Sequence, residues 1–66
     1  MLLYKYGMRL REFGIGCQPN GFKNFKHCSK GLTGYWSYVW YSEKLSEKEL
    51  SQYSMDYLGF DQVDHV

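Results

Sequence analysis

Four side chains of this 66-residue chain could ligate a metal ion or act as nucleophiles: Cys17, His27, Cys28 and His65. Zinc sites in short chains use cysteines two to four residues apart and histidines three to five apart, because each pair then closes on one ion. Here a C-x9-H-C spacing is followed by one distant histidine. We therefore predict no metal site and no cofactor, with both cysteines as reduced thiols in the cytosol.

The adjacent residues His27 and Cys28 suggest a nucleophile beside a base. A nucleophile and its base must meet at about 2.6–3.2 Å, and neighbours in sequence rarely do so. A chain this short also has little material with which to enclose a pocket that excludes water. We therefore predict a non-enzymatic protein without catalytic residues.

Lysines alternate with aromatic rings in residues 22–30, which suggests contact with nucleic acid. Lysines can neutralise phosphates and ring faces can stack on bases, as single-strand binding requires. Residues 35–66 carry two lysines against six acidic residues, so this half would repel the same backbone. A small basic nucleic-acid-binding module is therefore an alternative prediction, and its candidate contacts are Lys23, Phe25, Lys26 and Lys30.

Aromatic side chains alternate along residues 35–41, a pattern typical of a strand. One face would carry Trp36, Tyr38 and Trp40, and the other Tyr35, Val39 and Tyr41. If a single helix covers only one face, the other presents rings to solvent, which is the composition of an interface hot spot. The predicted protein contacts are Tyr35, Trp36, Tyr38 and Trp40, with Arg9, Arg11 and Lys23 as charged anchors.

Two other arrangements of this strand remain open. Residues 14–34 could fold over its second face, which would leave no rings for a partner. An exposed strand edge could instead pair with another chain or with a second copy. A homodimer through a strand edge, or a homo-oligomeric structural or assembly protein, is therefore a further alternative.

Apolar residues occupy alternate positions at the start of the chain and predict a half-buried strand over Leu2–Glu12 with a basic outer face. Gly7 lies on the polar side of this strand, where a missing side chain would admit a neighbour or a bulge. The apolar positions are Leu2, Tyr4, Tyr6, Met8 and Leu10.

Both ends of a C-terminal helix are indicated by specific residues. Ser46 and Glu49 form an S-x-x-E capping box, in which each side chain satisfies an amide of the first turn. Gly59 could adopt the left-handed conformation that ends a helix, with Phe60 packing back on Met55. We therefore predict a helix over Glu47–Leu58, whose apolar stripe is Leu50, Tyr53, Tyr57 and Leu58.

The remaining segments are less specific. Residues 14–21 contain three glycines, a proline and an Asn-Gly pair, which predicts a loop rich in turns. Residues 22–28 fit a helical turn, an irregular strand or a loop, and 29–34 read as a flexible connector. Residues 60–66 could form a final short strand or fray as a terminus.

Length and composition limit the architecture to one small domain, residues 1–66. The fold class is α+β: a small antiparallel sheet of two to four strands with one C-terminal helix packed on one face. No apolar run reaches the length of a signal peptide or a membrane span. We therefore predict no membrane partner and a location in the cytosol of a host cell.

Several short motifs, taken in order, resemble small proteins that phages and mobile elements of Gram-positive bacteria carry. The resemblance is to domains similar to the C-terminal part of the defence-against-restriction A protein, and it covers about residues 4–58. The matching pieces are Tyr6-Gly7-x-Arg9-Leu10-Arg11, Gly14-x-Gly16-x-Gln18-Pro19, Tyr38-x-x-Tyr41, Leu45-Ser46-x-x-Glu49-Leu50-x-x-Tyr53 and Tyr57-Leu58.

This resemblance implies an accessory protein that protects phage DNA from bacterial defence, and it implies no catalytic residues. Together with the aromatic strand, it suggests a protein that binds and inhibits a host defence complex. An anti-CRISPR or other anti-defence inhibitor is the concrete form of this hypothesis. The resemblance assigns nothing to residues 22–34.

Overall fold

A four-stranded antiparallel sheet forms the centre of the molecule, in the spatial order β2-β3-β1-β4. The computed structural model describes residues 2–14 and 16–62. Within these residues two short helices join the strands, so the α+β class is confirmed, whereas the predicted single helix at the C-terminal end is not, because a strand follows the second helix. The elements in chain order are β1 (Leu2–Met8), β2 (Phe22–His27), α1 (Lys30–Thr33), β3 (Ser37–Tyr41), α2 (Glu47–Tyr53) and β4 (Met55–Gln62).

The pairing register divides the side chains of the sheet between two faces, because residues opposite one another point to the same side. We call them the first face and the second face. The first face carries Tyr4, Tyr6 and Met8 of β1, Ser37, Val39 and Tyr41 of β3, and Met55, Tyr57 and Phe60 of β4. The second face carries Leu3, Lys5 and Gly7 of β1, Tyr38 and Trp40 of β3, and Asp56, Gly59 and Asp61 of β4.

The main core lies on the first face, under the loop after β1 and under α2. Its buried members are Tyr6, Met8, Val39, Tyr41 and Met55, and the side chains packed against them include Phe13, Cys17, Leu45, Leu50 and Tyr53. Two tyrosine hydroxyl groups of the sheet form hydrogen bonds with the segments that cover this face. Tyr41 donates a hydrogen bond to the Pro19 carbonyl at 2.6 Å, and Tyr6 accepts one from the Leu45 amide at 2.9 Å. Loop and helix are thus fixed by polar contacts as well as by packing.

The first half of the predicted helix is confirmed and its second half is wrong. α2 begins after Ser46 with both hydrogen bonds of the capping box to Glu49. It ends at Tyr53, because Ser54 adopts a left-handed conformation (φ 54°) and its amide bonds to carbonyls of the last turn. The chain then continues as β4, with Gly59 inside the strand instead of at a helix end.

Pairing with β1 explains this error. Tyr57 lies opposite Tyr6, with ring centroids 5.5 Å apart, so a residue of the predicted helical stripe completes the sheet instead. The tail forms part of the same strand as far as Gln62, and the predicted contribution of Val63 lies outside the described residues.

The first strand is shorter than predicted and its alternation is imperfect. β1 ends at Met8, and the chain bends at Arg9–Arg11. Tyr6 and Met8 are buried as expected, whereas Leu2 is 38% exposed and Leu3 is buried on the second face. β3 likewise begins at Ser37, two residues after the predicted start.

The middle of the chain contains the elements that sequence patterns left undecided. Residues 22–27 form the outer strand β2, and the predicted connector contains α1, a single helical turn capped by Gly34 at φ 83°. The predicted loop over residues 14–21 is confirmed for its described part, with Gly16 and Gly21 both at positive φ. Only glycine adopts such angles without strain.

Candidate binding face

Three aromatic rings lie side by side on the second face and form the candidate site. Ring centroids are 6.0 Å apart between Tyr35 and Tyr38, and 6.3 Å apart between Tyr38 and Trp40. All three side chains are half-buried, in contrast to Tyr6 and Tyr41, whose rings are buried on the first face. We call Tyr35, Tyr38 and Trp40 the aromatic row.

Gly7 makes room for one end of this row. A Cβ atom at Gly7 would lie 2.5 Å from Cδ1 of Tyr35, closer than real contacts allow, so the ring rests directly on the β1 backbone. The sequence prediction that Gly7 admits a neighbour is therefore confirmed. The ring occupies space on the second face because this one position of β1 has no side chain.

The hydroxyl group of Tyr35 is held by an acidic residue of β4. It donates a hydrogen bond to Oδ2 of Asp56 at 3.0 Å, and Nε of Arg9 lies 3.2 Å from Oδ1 of the same carboxylate. Burial raises the pKa of Tyr35, and the hydrogen bond to Asp56 raises it further. The phenol therefore keeps its proton at neutral pH and remains a donor.

The other end of the row is fixed in a similar way. The indole Nε1 of Trp40 donates a hydrogen bond to Oδ2 of Asp61 at 2.8 Å. Nζ of Lys5 lies 4.1 Å from the ring centroid of Tyr38 and 5.6 Å from that of Trp40, within the range of cation–π attraction. Each ring of the row thus has a polar or cationic partner that restricts its rotation.

Trp36, the fourth predicted aromatic contact, lies beside the row rather than within it. Its amide donates to the Met8 carbonyl at 2.9 Å, and its carbonyl accepts from the Cys28 amide at 3.0 Å. The ammonium group of Lys30 lies 5.5 Å from its ring. The backbone around Trp36 is therefore held between β1 and the end of β2.

The predicted face of Tyr35 is wrong. Strand alternation assigned it to the side of Val39 and Tyr41, but its ring lies over Gly7 on the second face. The reason is that β3 begins only at Ser37, so alternation does not extend back to Tyr35. The row therefore contains Tyr35 beside Tyr38 and Trp40, where the strand pattern predicted Trp36.

The three predicted charged anchors lie in different places. Arg9 adjoins the row through Asp56. Arg11 lines a shallow depression with Gln52 and Tyr53, whereas Lys23 lines another that includes Tyr41 and Glu49. The structure thus brings Arg9 to the row and leaves Arg11 and Lys23 beside other elements.

The residues of the nucleic-acid alternative are similarly divided. Lys26 lies opposite Tyr38 and shares the second face, whereas Phe25 lies opposite Val39 on the first face. The Phe25 ring stacks on Phe13 with centroids 4.2 Å apart and planes 1° apart. Lys26 can therefore contribute to a surface with the row, but Phe25 cannot.

Sequence reasoning missed Lys5, Asp56 and Asp61, the residues that hold the rings in place. Both aspartates were assigned to the helix and the tail, where no strand register could connect them with Tyr35 or Trp40. Lys5 has the correct parity for the second face in the predicted strand, and this was the available signal for it.

Other chemistry is less well supported by the geometry. Cys17 and Cys28 form no disulfide, and the Cys28 thiol donates to the Tyr35 carbonyl with an Sγ–O distance of 2.9 Å. Within residues 2–14 and 16–62, no three His, Cys, Asp or Glu side chains cluster as metal ligands, and His65 lies outside this part. No helix of the described residues is long and apolar enough to cross a membrane.

Comparison with known proteins assigns the chain to a family. The pattern of the family described as defence against restriction A C-terminal matches residues 1–59. The chain therefore belongs to this family, and the resemblance seen in its motifs is confirmed. No curated protein and no solved structure matches the chain.

Proposed function

We propose that the chain is a non-enzymatic phage accessory protein that binds a protein component of a host defence system through the aromatic row. A restriction enzyme complex is the first candidate partner, because the family is described by defence against restriction. CRISPR effectors and other defence complexes of the host cytosol are further candidates. The aromatic row is the observation that carries this proposal.

The rings of the row have the composition and the rigidity that protein interfaces favour. Tyrosine and tryptophan are enriched among the residues that dominate binding free energy. Hydrogen bonds to Asp56 and Asp61 hold Tyr35 and Trp40 in place before any partner arrives. Less conformational entropy is then lost on binding, so more of the contact energy contributes to affinity.

Charges around the row indicate what the partner surface should contain. The carboxylates of Asp56 and Asp61 already accept hydrogen bonds from the row, and Asp56 also pairs with Arg9. Lys5 lies over the rings and Lys26 beside them, so cationic groups remain for contact. A partner with an apolar centre and acidic side chains at its rim would complement this surface.

The test is protection of phage in a restricting host. Unmodified phage is plated on cells that carry the defence system and express either the wild-type chain or a variant. We expect wild type to raise plating efficiency, and Tyr38→Ala and Trp40→Ala to abolish most of that gain. Leu32→Ala is the matched control, because Leu32 is 89% exposed on α1 and is not a member of the row.

Binding is measured in parallel by pull-down from infected host lysate, with Trp36→Ala and Trp40→Ala beside wild type. Circular dichroism establishes that each variant is folded. Full protection by folded Tyr38→Ala and Trp40→Ala chains would exclude the row as the contact surface. Absence of protection by wild type against restriction, CRISPR and other defence systems would exclude the anti-defence function itself.

A second candidate function is binding of single-stranded nucleic acid on the same face. It is favoured by Lys5, whose ammonium group lies 4.1 Å from the ring centroid of Tyr38, and by Lys26, which lies opposite Tyr38 on the same face. Oligonucleotide binding measured against salt concentration separates the two functions, since affinity from phosphate contacts falls as salt rises. Absence of binding at low salt would exclude this candidate.

A further inference from the structure

The two outer strands of the sheet carry the same kind of exposed apolar surface. β2 and β4 are at opposite edges of the four strands, and every residue of β2 is exposed. On the first face of these edges, Phe22 is 40% exposed, Phe25 41%, Tyr57 41% and Phe60 64%. Rings on exposed edge strands are unusual in a monomer, because such edges invite pairing with another chain.

Bulges give both edges the same irregular spacing. In β2 the register shifts between Phe22 and Asn24, so Phe22 and Phe25 share the first face although they are three residues apart. In β4 the register shifts beside Leu58, so Tyr57 and Phe60 share the first face at the same separation. A bulge hinders pairing with a regular strand, whereas two strands with matching bulges keep their rings aligned.

Strand directions allow these two edges to meet. Neighbouring strands all run antiparallel, so β2 and β4 at the two ends of the order run in opposite directions. A second copy shifted sideways in the same orientation therefore brings its β2 antiparallel to β4 of the first copy. The first faces of the two copies then lie on the same side of one continuous sheet.

The charged residues of the two outer strands are also complementary in this pairing. With Phe25 opposite Tyr57 and Phe22 opposite Phe60, Lys26 of one copy lies opposite Asp56 of the other. Both of these residues belong to the second face and both are at an outer strand. Opposite charges across neighbouring strands stabilise the pair, whereas like charges destabilise it. The β2 edge also carries Lys23, and the β4 edge also carries Asp61.

We propose that copies of this chain associate edge to edge, with β2 of one copy paired antiparallel to β4 of the next. The occupant of each exposed edge is thus a second copy of the same chain. Such a contact uses two different surfaces, so each added copy leaves one free edge of each kind, and assembly continues as an open row of copies. This association does not depend on the anti-defence function.

The test uses two variants, each with one edge disabled. Phe60→Lys disables β4 at its most exposed ring, and Lys26→Glu disables β2 by placing a carboxylate opposite Asp56. Sedimentation of purified wild type should show a mass that rises with concentration beyond two copies. Phe60→Lys alone should associate at least about tenfold more weakly, because an interface hot spot is removed. Lys26→Glu alone should also associate more weakly than wild type, because like charges then face each other across the paired strands.

Mixing the two variants gives the decisive measurement. Phe60→Lys retains an intact β2 edge, and Lys26→Glu retains an intact β4 edge. The mixture should therefore form a complex of one copy of each variant, and no larger assembly. Leu32→Lys, on exposed α1, should behave as wild type. Phe22→Lys serves as a second β2 variant, and circular dichroism identifies any chain that fails to fold.

Three results would overturn the proposal. Wild type that remains a monomer at its highest soluble concentration excludes edge pairing. Wild type that stops at a dimer indicates two identical surfaces instead of two different ones. Folded variants that associate as strongly as wild type, or a mixture that remains monomeric, exclude β2 against β4 as the contact.

Discussion

The two faces of the sheet are built from similar residues but are used differently. On the first face, Tyr6 and Tyr41 are buried beneath α2 and the loop after β1, with ring centroids 5.8 Å apart. On the second face, Tyr38 and Trp40 remain half-buried, and charged groups rather than a helix hold the rings in place. At the two central strands, β1 and β3, the first face therefore buries its rings in the core, while the second face keeps ring surface accessible.

This difference shows that burial cannot be inferred from aromatic content alone. Tyr38 and Val39 are neighbours in β3, yet the first belongs to a surface and the second is completely buried. The two residues differ because α2 and the loop after β1 cover the first face, to which Val39 belongs, whereas Tyr38 belongs to the second face. Variants that remove core volume, fill the space at Gly7, delete a hydroxyl or delete an ion pair should reveal this contrast quantitatively.

The largest effect is expected from the middle of the first face. Met8→Ala should lower the free energy of unfolding by about 2–5 kcal/mol, because a buried side chain is lost and a cavity remains. Met8 is 1% exposed and belongs to the core cluster. Urea denaturation measures the change, with Leu32→Ala as a surface control expected within about 0.5 kcal/mol of wild type. Equal effects of the two substitutions would contradict the assignment of the core.

A smaller effect is expected at Gly7, where the second face depends on close packing. Gly7→Ala should destabilise the protein by about 1–3 kcal/mol, because the new methyl group overlaps the Tyr35 ring. The control is Gly31→Ala, where the nearest atom would be 3.9 Å from the added carbon. In a Tyr35→Ala background the loss caused by Gly7→Ala should largely disappear, a coupling that a double-mutant cycle measures. An unchanged loss in that background would show that the ring does not cause it.

Removal of one buried hydroxyl group should lower the free energy of unfolding by about 1 kcal/mol. Tyr41→Phe deletes the hydrogen bond to the Pro19 carbonyl and leaves that acceptor without this donor. Thermal or urea unfolding at neutral pH measures the difference. A variant as stable as wild type would mean that this bond does not fasten the loop to the sheet.

The same residue predicts sensitivity to alkaline pH. Burial raises the pKa of Tyr41 well above its ordinary value, and burial also raises the pKa of Tyr6. Above about pH 10 the unfolded chain releases protons that the folded chain retains, so this contribution to stability is complete below pH 10 and is lost as the pH rises further. The free energy of unfolding, measured with urea at several pH values in this range, should therefore fall less steeply with rising pH for Tyr41→Phe than for wild type. Parallel curves would contradict the role of Tyr41.

The smallest effect is expected at the surface ion pair beside the row. Arg9→Ala should change stability by less than about 1 kcal/mol, since the side chains of Arg9 and Asp56 are 49% and 41% exposed. Arg11→Ala, at another exposed position, provides the comparison in the same unfolding experiment. A loss well above about 1 kcal/mol at Arg9 alone would contradict the interpretation of this ion pair as a weak surface contact.

Local signals in the sequence correctly predicted several elements. Ser46 and Glu49 are close in the chain, so their capping box could be read without knowledge of any other segment. The same holds for the loop over residues 14–21, which depends on the backbone freedom of its glycines. Most of the central strand and the space at Gly7 were also predicted, because alternation and a missing side chain are local features.

The errors occurred where distant segments compete for the same residues. Tyr57 and Leu58 continue a helical stripe, but pairing with β1 offered them a place in the sheet. Hydrogen bonds between strands depend on a partner far away in sequence, so periodicity within one segment cannot detect them. For the same reason the partners of the aromatic row, Asp56 and Asp61, could not be predicted.

The sequence by itself determined an α+β chain with a capped helix start, a glycine-rich loop and an aromatic strand between them. It also carried the motifs that place the chain in its family. Only the tertiary structure decided that α2 stops at Tyr53, that Tyr35 turns onto Gly7, and which face of the sheet is covered. Which face of the sheet is covered, and which residues of neighbouring strands pair, both depend on contacts between segments remote in the chain. Such contacts exist only once the sheet has formed.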